Sequence, residues 1–140
     1  MKLHIVARGK MSRCPEADLI ARYHKRIGWP LQITELPDTG GKLPSLSPGT
    51  KIVALDERGE QLGSTELAVM LGQWRDASAR EVRFLVGAAD GLSDEERAGA
   101  DRLIAFGRAT WPHMLVRAML VEQLYRATSI IAGHPYHREG

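Results

Sequence analysis

The feature that most limits how this chain can fold is a long apolar run near its C-terminus, framed at both ends by polar residues. It begins after Phe106-Gly-Arg-Ala-Thr-Trp-Pro-His113 and ends at Gly133-His-Pro-Tyr-His-Arg138. Thr110 is a residue of the helix-capping type, and Pro112 suits a first helical turn, where its missing amide proton costs nothing. No residue from Pro112 to Ala132 breaks a helix, and Gly133 stands where a left-handed C-terminal residue is wanted. Pro135 then stops any continuation and keeps His134 extended. Leu115, Ala118, Met119, Val121, Leu124, Ile130 and Ile131 leave few polar positions between the two ends. A helix so apolar is buried on more than one side, and in a short chain its surplus face predicts a twofold homodimer. His113, His134, Tyr136, His137 and Arg138 sit at the ends of that rod, an arrangement that reads as a site.

Length bounds the rest. The 140 residues suit one domain, 1–140, with a real core. No apolar run reaches the ~18 residues of a membrane span. The start, Met1-Lys-Leu-His, lacks the apolar stretch of a signal peptide, so no membrane partner is expected. Cys14 is the only cysteine, which rules out an intrachain disulfide and agrees with a reducing cytoplasm. A net charge of +2 argues little for nucleic acid. The distribution argues more, because Arg8, Lys10, Arg13, Arg22, Lys25 and Arg26 crowd the N-terminus. That segment is either a solvated face or a contact for phosphate.

Taken in order, Lys2–Ala7 reads as a buried strand, Arg8–Cys14 as a polar loop and Pro15–Ile27 as a helix ended by Gly28. Leu31–Leu36 is a second strand. Pro37–Gly49, with Gly40-Gly41, Pro44 and Pro48, is expected to be an exposed, mobile loop. Lys51–Asp56 is a third strand, turned by Glu57–Glu60. Ser64 is expected to cap a helix reaching Ala77, with Leu67, Met70, Leu71 and Trp74 on one face. Val82–Val86 is a fourth strand, and Ser93 caps the acidic turn Asp94-Glu95-Glu96. Leu103–Phe106 is a fifth strand candidate. Strands alternating with helices predict an α/β fold, with a mostly parallel sheet and helices on both faces.

In such sheets ligands bind beyond the C-terminal ends of the strands. Three loops leave strand ends with suggestive contents: Leu55–Gly59, Gly87–Gly91 and Gly107–Pro112. Their small residues let a ligand approach the backbone, whose N–H and C=O groups can read a purine edge. Gly87 and Gly91 read equally as turn residues. A metal held by His113, His134 and His137 is disfavoured, since no carboxylate or cysteine accompanies them; no metal is expected. No base is identifiable for Cys14 as a nucleophile, and no phosphate loop or dinucleotide fingerprint is present. Glu122 and Arg126 are spaced i,i+4 with the acid first. They form either an ordinary helix pair or, on a helix otherwise buried, a functional one.

A resemblance runs along the whole chain. It is carried by Leu55-Asp56, by Phe84-Leu-Val-Gly-Ala-Ala-Asp-Gly91, by Thr110-Trp-Pro-His113, and above all by Glu122-Gln-Leu-Tyr-Arg-Ala127 with His134-Pro-Tyr-His-Arg138. These segments resemble the small ribosomal RNA large-subunit methyltransferase H family, of the SPOUT class. The resemblance implies an α/β trefoil knot near the C-terminus, an exception to the rule against knots that periodicity does not reveal. It implies a cytoplasmic homodimer that moves a methyl from S-adenosylmethionine to N3 of a pseudouridine in 23S rRNA of the assembled ribosome. By the same resemblance Leu55, Gly87, Ala88, Gly107, Arg108, Ala109, Thr110, Trp111 and Pro112 match cofactor-contacting positions. Ala88 stands where the family often has a second glycine, and its methyl is tolerated if φ is negative.

A sulfonium methyl is already electrophilic, so alignment carries most of the catalysis. The N3 imide loses a proton, and nearby cations stabilise the anionic charge that develops. Glu122, Arg126, Tyr136, His137 and Arg138 are the catalytic candidates, with Glu122 orienting an arginine; base and orienting roles stay open. Two readings from other classes compete. One is a non-catalytic ribosome-binding or assembly factor that keeps the fold and cofactor pocket. The other is an unknotted doubly wound nucleotide-binding protein, already weakened by the missing fingerprint.

Overall fold

The computed structural model of the protein describes residues 1–138. Five strands form one sheet: β1 (Lys2–Arg8), β2 (Leu31–Leu36), β3 (Thr50–Gln61), β4 (Glu81–Val86) and β5 (Arg102–Ala105). Four helices connect or follow them: α1 (Pro15–His24), α2 (Ser64–Asp76), α3 (Asp94–Ala98) and α4 (His113–Ala132). The strand order is β2-β1-β4-β3-β5 and all four pairings are parallel. β1 and β4 occupy the interior of the sheet, and Leu3–Ala7 and Val82–Val86 are buried throughout, apolar except for His4 and Arg83. β2 lies at an edge and alternates between half-buried and exposed.

The two faces are covered unequally. On one, Leu3, Ile5, Val53, Val82 and Phe84 pack with Leu67 and Leu71 of α2, Ile20 of α1 and Leu120 and Leu124 of α4. On the other, Val6, Ala54 and Leu85 meet Leu92 and Ala100, which flank α3, and Leu43 of the 37–49 loop. That loop is mostly exposed, as expected, yet it is tied down. The buried guanidinium of Arg83 donates to the carbonyls of Pro44 and Ser45 at 2.7 and 3.0 Å.

Several local expectations need correction. Thr110 does not cap α4: the N-cap is Pro112, with φ −56° and ψ 136°, and the Thr110 hydroxyl donates to Glu57 instead, at 3.0 Å. Proline there supplies no side-chain acceptor. The C-terminal end follows the sequence, with Gly133 left-handed at φ 75°. Ser64 is the first residue of α2 and not its cap; the Gly63 amide donates to Glu66, freeing the Ser64 hydroxyl to donate to Gln123 at 2.7 Å. α1 ends at His24, where Arg26 and Ile27 both turn back to the Tyr23 carbonyl. Ser93 caps α3 as expected, exchanging 3.0 Å hydrogen bonds with Glu96.

The largest departure is in β3. Residues Glu57–Glu60 do not end the strand. Ile104 of β5 pairs with Leu55 and again with Glu60, so β3 bulges out and returns to the same partner. Gly59 makes this crossing possible, because a Cβ there would lie 2.6 Å from the backbone of Leu103 and Ile104.

Candidate active site

The three segments nominated by sequence converge on one cavity of about 260 Å³, beside the bulge of β3 and beyond the ends of β4 and β5. Leu55–Arg58, Val86–Leu92 and Ile104–Gly107 with Ala109–Trp111 line it, joined by Arg97, His113 and Val116. Gly87 is required by the loop itself. A Cβ there would sit 2.5 Å from the carbonyl carbon of Gly91, because the chain doubles back through a Gly91 N–H to Ala88 bond of 2.8 Å. Gly107 differs: its φ is +87° and a Cβ would meet open space, so bare backbone faces the cavity. Ala88 has a negative φ, so its methyl is accommodated. The Trp111 indole N–H donates to the Phe106 carbonyl at 2.9 Å and pins the third loop to itself. Asp56 is held by Arg97 at 3.0 Å and by the Arg58 amide at 2.8 Å. Of the residues assigned to the cofactor from the resemblance, Arg108 and Pro112 do not line the cavity.

The catalytic candidates gather elsewhere, between Glu122 at the middle of α4 and the tail beyond it. A single oxygen of Glu122, Oε1, accepts from Arg126 Nε at 2.9 Å, from Arg126 Nη2 at 2.6 Å and from the Tyr136 hydroxyl at 3.0 Å. Arg126 Nη1 lies 3.1 Å from His137 Nδ1, and the guanidinium sits 4.7 Å from the centre of the Tyr136 ring. Tyr136 packs on Tyr125 at 4.4 Å between centroids, and Tyr125 on Tyr23 of α1 at 5.9 Å. The tail is therefore folded back in one arrangement. Arg138 is exposed, and Glu139 and Gly140, which belong to the same tail, lie outside the described residues.

Electrostatics set the proton states here. Burial, with hydrogen bonds to Tyr23 and Glu122, pushes the Tyr136 phenol well above its ordinary range. The hydrogen bonds to Glu122 raise Arg126 further still, against the opposing effect of burial. Tyr136 thus stays a neutral donor and Arg126 a fixed cation. The phenol cannot serve as a base near neutral pH.

The cavity and the tail cluster do not meet within one chain. Val116 of α4 borders the cavity, Glu122 lies six residues further along the helix, about 9 Å, and Arg126 ten, about 15 Å, at 1.5 Å per residue. The same geometry separates His113 from His134 and His137, so they are not brought together as ligands. Alongside the helix runs a shallow apolar groove lined by Leu19, Phe106, Leu115, Ala118, Met119, Glu122 and Gln123. It spans the distance between the two clusters, since Phe106 also borders the cavity.

Arg117 escaped the sequence reading. It is 2% exposed, and it donates to Glu35 at 2.7 Å and to the carbonyls of Gly9 and Arg8 at 2.9 and 3.3 Å. The signal was available: an arginine amid the apolar residues of a buried helix must find partners. Burial raises the Glu35 pKa, but hydrogen bonds from the Met11 amide and Arg117 outweigh it and hold the carboxylate below its usual range. Arg8, nominated for phosphate, is committed elsewhere: it donates to the Pro37 and Gly40 carbonyls and pairs with Glu96 at 3.4 Å.

Residues 1–137 match the family described as predicted SPOUT methyltransferase. The chain is 69% identical over 140 residues to the ribosomal RNA large subunit methyltransferase H of Rhizorhabdus wittichii, covering all of both chains. It is 61% identical to the protein of the same name from Sphingopyxis alaskensis, covering all of this chain and 99% of that one. Among solved structures, a probable methyltransferase from Bordetella pertussis superposes with a TM-score of 0.61 at 14% identity, covering 90% of this chain and 93% of the other. That likeness concerns the fold.

Proposed function

We propose a site and a target for a chain that belongs to the SPOUT methyltransferase family, among the ribosomal RNA large subunit methyltransferases H. It is a methyltransferase acting on ribosomal RNA. The target we assign is N3 of a pseudouridine in 23S rRNA of the assembled ribosome, in the cytoplasm, and the whole chain acts as a single domain. The methyl donor we assign is S-adenosylmethionine, and the cavity fits it. Its 260 Å³ approaches the ~300 Å³ at which small-molecule sites begin, and the bare backbone at Gly107 admits a purine edge to peptide groups. Leu55, Gly87, Ala88, Gly107, Ala109, Thr110 and Trp111 would hold the donor. When bound, it supplies an electrophilic methyl on sulfur.

The chain's own residues position and stabilise. As N3 loses its proton, negative charge spreads over the ring, and Arg126 and Arg138 offer positive charge to it. Tyr136 offers an aromatic face for a splayed-out base and a neutral hydroxyl for its edge. Glu122 orients both Arg126 and Tyr136 through one oxygen. His137, beside Arg126, either orients that cation or relays a proton.

One observation carries the proposal: the cavity borders the first turn of α4, whereas the tail cluster gathers around its middle and C-terminal half. A site containing both needs two chains, and the apolar groove along α4 is the surface on which a second copy would sit. The knot that the resemblance implies would have the helix from Pro112 threaded through a loop of the chain. Mixing tests the shared site. Gly107→Val should disable the cavity, and deletion of 134–140 should disable the tail. Each homodimer should be inactive, whereas co-expressed chains should recover transfer of labelled methyl to ribosomes lacking the modification. No recovery in purified mixed dimers would sink the shared site. Donor binding without any transfer by the wild type would instead identify a non-catalytic ribosome-binding factor.

A further inference from the structure

Between β1 and α1 the chain runs irregularly through Gly9–Cys14, and this segment is held by Met11 packing on the core and by an ion pair between the buried Arg117 and the partly exposed Glu35. Glu35 Oε2 accepts both from Arg117, at 2.7 Å, and from the Met11 amide, also at 2.7 Å. Arg117 in turn grips the Arg8 and Gly9 carbonyls. One carboxylate and one guanidinium thus set the backbone on both sides of Lys10. The segment abuts the cavity: a Cβ on Gly9, where φ is +95°, would lie 3.6 Å from His113 Nε2 and 3.5 Å from the Met114 methyl. Lys10, Ser12 and Arg13 face outward and are exposed. Among the described residues neither Lys10 nor Arg13 makes an ion pair within 4 Å, although the Lys10 charge lies near enough to Glu35 to help lower its pKa.

Resting on the rRNA reading above, we propose that Arg117 and Glu35 are positioning residues for RNA, fixing Gly9–Arg13 beside the cavity so that Lys10 and Arg13 engage the phosphates flanking the target base. An unpinned loop would carry the same charges but lose entropy on ordering them at each encounter. Fixing it in advance lets the phosphate contacts set register as well as affinity. Arg8 supplies no such contact, because its guanidinium braces the 37–40 turn and Glu96. The segment's role is therefore narrower than its sequence charge suggests.

The test separates positioning from folding and from chemistry. Glu35 lies on an edge strand and is partly exposed, so it can be replaced with less damage than the fully buried Arg117. Methyl transfer to unmodified ribosomes is measured for wild type, Glu35→Ala, Glu35→Gln, the double variant Lys10→Ala/Arg13→Ala, and the triple variant with Glu35→Ala. Glu35→Ala should raise KM for ribosomes about tenfold, the scale of one to two charged contacts, with kcat and the S-adenosylmethionine Kd within about twofold. Glu35→Gln, which keeps an acceptor for Arg117 and Met11, should restore most of the loss. The double variant should flatten the salt dependence of ribosome binding by about 0.7–0.9 for each phosphate no longer neutralised. The triple variant should be no worse than the double, since the groups would act as one unit. Additive losses, or an unchanged KM in folded Glu35→Ala, overturn the positioning role and leave the methyltransferase reading intact. If Glu35→Ala does not fold, an unaltered KM and salt slope in the exposed double variant overturns it as well. A wild type that transfers no methyl overturns both.

Discussion

The two ends of α4 are built on opposite plans. At the N-terminal end the cavity is walled by glycines and alanines beside charged and aromatic side chains, and at Gly91 and Gly107 an added Cβ would meet open space. At the C-terminal end nearly every polar atom is spoken for: Glu122 Oε1 takes three hydrogen bonds, and Arg126, Tyr136 and His137 close around it. A surface of bare backbone recognises a ligand by shape and peptide hydrogen bonds, and it tolerates no added atoms. A cluster of paired side chains keeps charge in a set geometry until a substrate competes for it. The first plan holds something; the second presents something. Their separation along one helix is the physical reason for expecting two chains per site.

The comparison is broken most severely at the glycines. Gly59→Ala places a methyl 2.6 Å from the β5 backbone, which cannot yield as a side chain can. We expect a loss of about 3 kcal/mol or more, read by urea unfolding, or no soluble protein. Full stability of this variant would show that β3 and β5 cross less tightly than the 2.6 Å approach implies.

Next is the tail. Deletion of 134–140 should lower methyl transfer at least ~100-fold, the scale of losing preorganised charge stabilisation. S-adenosylmethionine affinity, measured by calorimetry, should be unchanged. The melting temperature should fall by only a few degrees, since the Tyr136 contacts with Tyr125 and Glu122 are worth about 1 kcal/mol. Normal turnover would return the site to the cavity loops alone.

Within the cluster, Glu122→Gln should cost about tenfold in kcat by weakening the charge-assisted bonds to Arg126, with donor affinity intact. Tyr136→Phe should cost less than Tyr136→Ala if stacking outweighs the hydroxyl. A raised donor Kd in Glu122→Gln would mean that the cluster contributes to donor binding as well as to chemistry.

The smallest effect tests a region remote from both ends. His4 is buried, with Nε2 2.7 Å from the Thr34 hydroxyl and Nδ1 3.6 Å from Glu81. Burial foremost, aided by Arg83 and opposed by Glu81, lowers its pKa below 6.5. The folded state then binds fewer protons than the unfolded state, so stability is full above pH ~6.5 and declines as pH falls below it. Glu35 and Glu96, whose pKa values are lowered from 4.5, lose their contributions only at more acidic pH. Melting temperatures between pH 7.5 and 5 should therefore fall less steeply for His4→Gln than for wild type, with methyl transfer unaffected. Parallel slopes would locate the acid sensitivity elsewhere.

Much of this was legible in the residues. Short β-branched runs marked the strands, Ser93 with Glu96 marked a cap, and Gly133 marked the end of α4. Two loops that meet at the cavity, after β4 and after β5, were nominated from glycines at strand ends, whereas the third segment, Leu55–Arg58, proved to be part of the β3 bulge. What failed was capping where proline or glycine replaced a side-chain acceptor, and the role of Arg8, whose partners lie 29, 32 and 88 residues away.

Local chemistry is written in neighbouring residues, so the sequence by itself determined the elements, the apolar character of α4 and the identity of the polar groups at its ends. Non-local pairing is not written there. Only the tertiary structure decided that Ile104 meets β3 twice across Gly59, that Arg117 finds Glu35 across 82 residues, and that cavity and tail stand apart. Each depends on where the chain crosses itself, and period and propensity describe a segment without saying what it will lie against.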